Sequence, residues 1–173
     1  MDIDIARVNA YAKDTPFVTS LHSALEQKTN IALILGLIDD IARIRDKYGL
    51  ASCDDALQKI EQILYARFGE CSLRTGEVFL VLITGDEAAK APEIAESIRA
   101  VVENHADLLV PSLAGEPVEF PGIEERVHIT MHFGVTRASS DWTSANGFDE
   151  LVQTAQDTID DGQRRLIANR VFA

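Results

Sequence analysis

One acidic residue, Glu77, follows a predicted tight turn that would fix the position of its side chain. Residues 73–83, LRTGEVFLVLI, predict a strand end, a two-residue turn at Thr75-Gly76 and an apolar strand over 78–83. Glycine accepts the positive φ that tight hairpins need, and Glu77 follows at the turn exit. A carboxylate there is suited to a metal ion or a nucleotide. It is equally suited to solvent, because polar residues are common in turns.

Two histidines invite a metal-binding interpretation, but their spacing argues against it. His128 and His132 share one face of a predicted strand and are four residues apart, a distance of about 13 Å along a strand. That distance is too wide for a single ion, so we expect them at the sheet surface or facing a partner. The sequence contains no Ser/His/Asp set, phosphate-binding Gly-rich loop or zinc-ligand spacing.

Composition and charge exclude several classes of function. The 173 residues are 46% hydrophobic and 25% charged, which predicts one soluble domain with a sizeable core. A net charge of -12 leaves no basic excess for a nucleic-acid backbone, although a small nucleotide needs only local cations. Cys53 and Cys71 are too few for a disulfide framework. The acidic N-terminus is no signal peptide and the longest apolar run, 31–38, is too short to span a bilayer. We therefore expect a cytoplasmic domain without membrane insertion.

Hydrophobic periodicity places these residues on a sheet flanked by helices. Residues 1–13 predict an N-terminal helix or linker, and residues 14–173 predict the domain itself. The carboxylates of Asp39-Asp40 are expected to favour the N-terminus of the helix that they open. The predicted elements are, in order, a helix at 17–27, a strand at 31–38, helices at 39–48 and 52–68, the hairpin, a helix beginning at Glu87 or Pro92, a loose insertion at 107–126, a strand at 127–135, a helix at 148–165 and a strand at 170–172.

This order predicts a mixed sheet. Two strands joined by a tight turn must be antiparallel, and helical crossovers on either side bring further strands to the same sheet. The fold class is α/β, or more narrowly an α+β palm-like domain with a mixed central β-sheet flanked by helices.

Four segments then carry a resemblance to a known family. Residues 37–54, LIDDIARIRDKYGLASCD, lie without gaps over the pattern Asp-x-Asp-x-Phe-Lys-x-x-Asn-Asp-x-x-Gly-His-x-x-Gly-Asp. Residues 132–135 and 168–171 match a later Ser-x-Gly-x strand and a closing Gly-Arg-Asn-x-Val. The signature Gly-Gly-Asp/Glu-Glu-Phe falls on Thr75, Gly76, Glu77, Val78 and Phe79. From about residue 14 to 172, the chain resembles the GGDEF domain of diguanylate cyclases, which implies a nucleotidyl-cyclase-like fold.

The resemblance implies a metal and GTP site whose acidic positions have partly changed. Two carboxylates hold divalent metal against the triphosphate in the family, as the oxygen chemistry of Mg²⁺ requires. The first position falls on Leu37, which cannot be a ligand, and the second on Glu77, which can. Asp39 matches the family's second aspartate, which is not the main ligand. Val78 replaces the other acid of the signature.

The positions that read the base and contact phosphate have changed as well. The guanine-reading asparagine falls on Arg45, which offers hydrogen-bond donors only. The guanine-reading aspartate is kept as Asp54, while two lysine positions hold Ala42 and Gln163. The residues left to bind a nucleotide are therefore Asp39, Arg45, Asp54 and Glu77.

A second ligand site of the family has a counterpart in the sequence that is shifted by one residue. Many members carry an inhibitory Arg-x-x-Asp that binds cyclic di-GMP upstream of the signature. Strict spacing puts it on Ala66 and Gly69, which cannot serve, whereas one residue along Arg67 and Glu70 form Arg-x-x-Glu. Arginine suits phosphates and guanine edges. An arginine at a helix end can also simply balance the helix dipole.

We therefore predict a catalytically inactive GGDEF-like signalling module of the cyclic di-GMP network that acts by protein–protein interaction. Its partners would be other signalling proteins or a second copy of the chain. The alternative is a receptor for GTP, through Asp54 and Glu77, or for cyclic di-GMP, through Arg67 and Glu70. A weak cyclase is a third hypothesis and depends on Glu77, Asp54 and Asp39. We expect no cofactor, and Mg²⁺ on Glu77 only if GTP binds.

Overall fold

A mixed β-sheet forms the centre of the computed structural model, which describes residues 3–105, 108, 129–138, 147–164 and 171–172. Its strands are β1 (Ile31–Ile38), β2 (Ser72–Thr75), β3 (Val78–Thr84), β4 (Met131–Ala138) and β5 (Val171–Phe172). Within the described residues they form a five-stranded sheet of order β2-β3-β1-β4-β5. Only the β4–β5 pair in that sheet is parallel. The prediction of a mixed sheet is confirmed.

Helices cover both faces of the sheet. They are α1 (Ile5–Ala12), α2 (Pro16–Glu26), α3 (Ile41–Tyr48), α4 (Leu50–Phe68), α5 (Ala91–Asn104) and α6 (Gly147–Arg164). Helices α3, α4 and α5 pack on one face around a first hydrophobic cluster, and α1, α2 and α6 pack on the other around a second. None of the described helices has the length and apolar composition needed to cross a bilayer.

Strand β1 divides the two clusters. All eight of its residues are buried, as its continuous apolar run predicted. Because side chains alternate along a strand, Ala32 and Ile34 join the first cluster, while Leu33, Leu35 and Leu37 join the second. The strand that would carry the first metal ligand is therefore a core strand throughout.

Most element boundaries agree with the predictions to within a few residues, and β4 differs most. A strand was expected over 127–135, but β4 begins at Met131 and ends at Ala138. Ile129 and Thr130 precede the strand, and the Thr130 carbonyl accepts a hydrogen bond from the backbone N–H of Asp39. His128 and nearly all of the predicted insertion at 107–126 lie outside the described residues.

The N-terminal segment is a helix packed on the domain. Val8 and Ala12 of α1 are 3% and 0% exposed and belong to the second cluster. Within residues 1–13 the structure describes a helix over Ile5–Ala12, and the domain boundary at residue 13 stays a prediction.

Candidate functional site

The signature hairpin is present, with its turn one residue later than predicted. Thr75 pairs with Val78 in the β2–β3 ladder, so the turn residues are Gly76 and Glu77 rather than Thr75 and Gly76. Gly76 has φ 61°, the left-handed conformation that glycine adopts without a Cβ penalty. Glu77 is consequently a turn residue itself, and Thr75 is buried as the last residue of β2.

The positions beside Glu77 have become part of the core. Val78 lies opposite Leu37 in the β1–β3 ladder, and Leu37 lies opposite His132 in the β1–β4 ladder. Leu37 and Val78 are 2% and 6% exposed, and both belong to the second cluster. The two places where the resemblance implies further carboxylates are therefore filled by buried apolar side chains.

Glu77 is bound by a residue of the same chain. Its Oε1 accepts a hydrogen bond from Nη2 of Arg45 on α3, which makes an ion pair between the helix and the hairpin tip. The side chains are 30% and 39% exposed respectively, so the pair is only partly screened by solvent. The structure thus brings together Glu77 and Arg45, the two positions to which the resemblance assigns a metal ligand and a guanine-reading residue.

Asp39 does not cap α3 as the sequence predicted, and it binds β4 instead. Its Oδ2 accepts a hydrogen bond from Oγ1 of Thr130 at 2.7 Å, and its Oδ1 accepts one from Nδ1 of His132 at 2.5 Å. The residue at the helix N-cap, Asp40, has φ 51° and makes no side-chain capping bond. These contacts, with the backbone bond to Thr130, fix the β1–α3 turn to β4.

The prediction of a surface position for His132 is wrong for the same reason. His132 is only 5% exposed, because its ring fills the space between the Asp39 carboxylate and the sheet. We expect His132→Ala to lower the free energy of unfolding by about 1–3 kcal/mol, since it leaves a largely buried carboxylate short of a donor. Chemical denaturation measures this change. His22→Ala, at an exposed position of α2, is the control and should change stability by less than about 0.5 kcal/mol. Equal effects of the two substitutions would contradict the assignment.

A cleft of about 480 Å³ lies beside the hairpin tip. Asp54 and Leu57 of α4 form one wall and residues 74–78 of the hairpin form another. The third wall, Ile3, Asp4, Arg7 and Val8, comes from α1 and the residue pair before it. Sequence reasoning found Asp54 and Glu77 but missed the residues of α1, for which the only signal was a weak helical pattern around Val8.

Arg74 stabilises the hairpin from the α4 side. Its Nε donates to Oε2 of Glu61 at 2.8 Å, and its Nη1 donates to the carbonyl of Gly76 at 3.2 Å. Two arginines therefore contact the turn: Arg74 binds the backbone carbonyl of Gly76, and Arg45 binds the side chain of Glu77.

The inhibitory-site candidate has contacts of its own. Nη1 of Arg67 donates to Oγ of Ser97 on α5 at 2.7 Å, and its guanidinium lies 5.0 Å from the centre of the Phe68 ring. Glu70 is exposed on the 3-10 segment after α4. Arg67 thus links α4 to α5, and a role in cyclic di-GMP binding stays a prediction. The side chain of Gln163 and residues 168–170 lie outside the described part of the chain.

The site does not fit the divalent metal that the resemblance implies. Magnesium needs an octahedron of oxygen ligands, usually with carboxylates among them. Leu37 and Val78 offer none, and the carboxylate of Glu77 is paired with Arg45. Among the residues that the structure describes, no group of three or more His, Cys, Asp or Glu side chains could hold a metal ion.

Comparison with known proteins identifies the family. The family model "Diguanylate cyclase, GGDEF domain" matches residues 9–161. Diguanylate cyclase A of Treponema denticola is 24% identical over 155 residues, which cover 87% of this chain and 38% of that protein. The chain therefore spans well under half the length of this relative.

Solved structures share the fold. The GGDEF domain of DgcB from Caulobacter crescentus, in complex with c-di-GMP, superposes with a TM-score of 0.70 at 18% identity, covering 94% of this chain and 88% of that one. The FimX GGDEF domain from Pseudomonas aeruginosa gives 0.66 at 20% identity and 90% coverage of both chains. The active GGEEF domain of a diguanylate cyclase from Vibrio cholerae gives 0.62 at 18% identity, covering 90% and 92%. Because the family model matches most of this chain, residues 9–161, the chain belongs to the GGDEF domain family of diguanylate cyclases.

Proposed function

We propose that this chain is a catalytically inactive GGDEF module that acts in cyclic di-GMP signalling, in the cytoplasm, by contacting other signalling proteins or a second copy of itself. The ion pair between Arg45 and Glu77 carries the proposal. It neutralises the one signature carboxylate that remains, at a place where the neighbouring positions are apolar.

The chemistry of phosphoryl transfer explains why these changes matter together. Metal-assisted transfer of a nucleotidyl or phosphoryl group depends almost wholly on positioning and on stabilising developing charge. Removal of a single stabilising group typically slows such reactions by about 10²–10³-fold. Here Leu37 and Val78 stand in place of two acids, and Ala42 in place of a lysine. The combined loss supports a role that needs the shape of the domain rather than its chemistry.

A second candidate function is a nucleotide receptor, and the cleft beside the hairpin favours it. Its volume of about 480 Å³ is in the range of small-molecule sites. Asp54, at the guanine-reading position, and Glu77 both line it. A carboxylate can accept two hydrogen bonds from the N–H groups of a guanine, so base recognition could outlast catalysis.

Calorimetric titration with GTP and with cyclic di-GMP separates the two candidates. For a module that acts by protein contact, we expect no saturable binding of either ligand in the micromolar range, where a site would provide about 8 kcal/mol. Asp54→Ala tests the cleft, and Arg67→Ala, on the far end of α4, tests the inhibitory-site candidate. Micromolar binding that one of these variants abolishes would establish the receptor and overturn the contact-only module.

A further inference from the structure

The Arg45–Glu77 pair differs from an ordinary surface ion pair in what it joins. The two residues are 32 positions apart and connect α3 to the tip of the β2–β3 hairpin. The Nε of Arg45 is buried and, among the described residues, has no hydrogen-bond partner. Burial of a guanidinium nitrogen without a partner is unfavourable. Arg45 thus combines one buried nitrogen with a side chain that is 39% exposed, and it contacts the hairpin tip through its ion pair with Glu77.

The surroundings of Glu77 explain why it needs a cation. Asp4 and Asp54 line the same cleft as Glu77, together with Arg7 and Arg74, so acidic residues outnumber basic ones in its lining by three to two. Of the arginines in that cleft, Arg74 is engaged by Glu61 and by the carbonyl of Gly76. Arg45 of α3 is not among the residues that line the cleft, and it balances the charge of Glu77 through the ion pair.

We propose that Arg45 is the internal counter-cation of Glu77 and that it excludes divalent cations from the hairpin tip. A cation that binds Glu77 must compete with the charge of a guanidinium tethered beside it, whose effective concentration is in the millimolar range or higher. The proposal extends the proposed function, on which it rests for the identity of the site. It explains the exclusion of metal by the presence of Arg45, in addition to the lack of ligand atoms at Leu37 and Val78.

This assignment predicts a gain of binding from a single deletion. Arg45→Ala should bind Mn²⁺ at least about fivefold more tightly than the unaltered chain, the ratio that corresponds to ~1 kcal/mol of competing ion-pair energy. Calorimetry and the electron paramagnetic resonance of free Mn²⁺ measure the binding. Millimolar Mn²⁺ should also raise the Tm of Arg45→Ala, while the Tm of the unaltered chain should be the same in Mn²⁺ and in a chelator.

Three further variants make the test specific. Arg45→Ala with Glu77→Ala should lose the gain, which shows that the new ion sits on Glu77. Arg74→Ala is the matched control, because it removes an arginine of the same hairpin whose partner is Glu61. It should create no Mn²⁺ site. Arg45→Met retains the apolar stem and replaces Arg45→Ala if the alanine variant fails to fold.

Two results would overturn the proposal. One is binding of Mn²⁺ to the unaltered chain that is as tight as binding to Arg45→Ala and is lost in Glu77→Ala. The other is an absence of any gain in both folded Arg45 variants. Neither result depends on catalysis. Product formation from GTP by the unaltered chain would overturn the proposed function, whereas the role of Arg45 is tested by Mn²⁺ binding alone.

Discussion

Phe79→Ala is expected to lower the free energy of unfolding by about 3–5 kcal/mol, the usual cost of removing a buried phenylalanine. Phe79 is the last residue of the signature and is 1% exposed in the first hydrophobic cluster. It lies opposite Gly36 of β1, which in turn lies opposite Phe133 of β4. The absence of a side chain at Gly36 leaves room for the ring of Phe133. Phe79, at the last position of the signature, therefore has a packing role in this core.

Equilibrium unfolding in urea measures the effect of Phe79→Ala. Phe79→Leu is the control, because it keeps most of the apolar volume and should cost less than the alanine variant. A loss below about 1 kcal/mol for Phe79→Ala would show that the ring is not part of the packed core and would contradict this explanation of the surviving signature.

Gly134→Ala is the second substitution with a large expected effect, a loss of about 3 kcal/mol or more of stability. A Cβ at Gly134 would lie 2.3 Å from the carbonyl oxygen of Ala155 and 2.9 Å from Cγ1 of Ile159. The first of these atoms belongs to the backbone of α6, so β4 and α6 must separate. Gly134 is thus required by the close approach of this helix to the sheet.

Gly36→Ala is the matched control for Gly134→Ala. Its Cβ would lie 2.6 Å from Cε1 of Phe133, but that atom belongs to a side chain, which can rotate more easily than a helix can move. The loss of stability should therefore be smaller than for Gly134→Ala. Thermal unfolding of the two variants gives the order directly, and the reverse order would contradict the assignment of the α6 backbone as the limiting contact.

The fold was predictable because its signals are local. The continuous apolar run of β1, the 3.6-residue period of α4 and the glycine of the hairpin each specify an element within a few residues of chain. The turn was misplaced by one residue because Thr75 and Val78 are both suited to strands, and only the ladder shows that they pair.

The contacts of the site were not predictable because they join distant segments. Arg45 and Glu77 were each recognised at a family position, but nothing in either segment indicates that they bind each other. The sequence predicted that Asp39 lies at the N-terminus of α3, where carboxylates are common. Its pairing with His132, 93 residues away, depends on the register of β1 against β4. Long-range polar pairs of this kind follow from the assembled sheet.

The change at Leu37 and Val78 has a physical consequence for the fold. A carboxylate at either place would need ligands or hydrogen bonds inside the second cluster. Full burial of an apolar side chain of this size instead contributes roughly 1.5–3 kcal/mol. The two positions to which the resemblance assigns acids are thus stabilising positions of this core, which supports the proposal of a domain that acts through its shape.

Incubation with GTP and Mg²⁺ or Mn²⁺, followed by chromatographic detection of cyclic di-GMP, tests the central claim most directly. An active GGDEF domain serves as the positive control for the assay. We predict no product above the background without protein, because Glu77 is paired with Arg45 and because Leu37 and Val78 offer no ligand. Product formed by the unaltered chain and abolished by Glu77→Ala would contradict the claim.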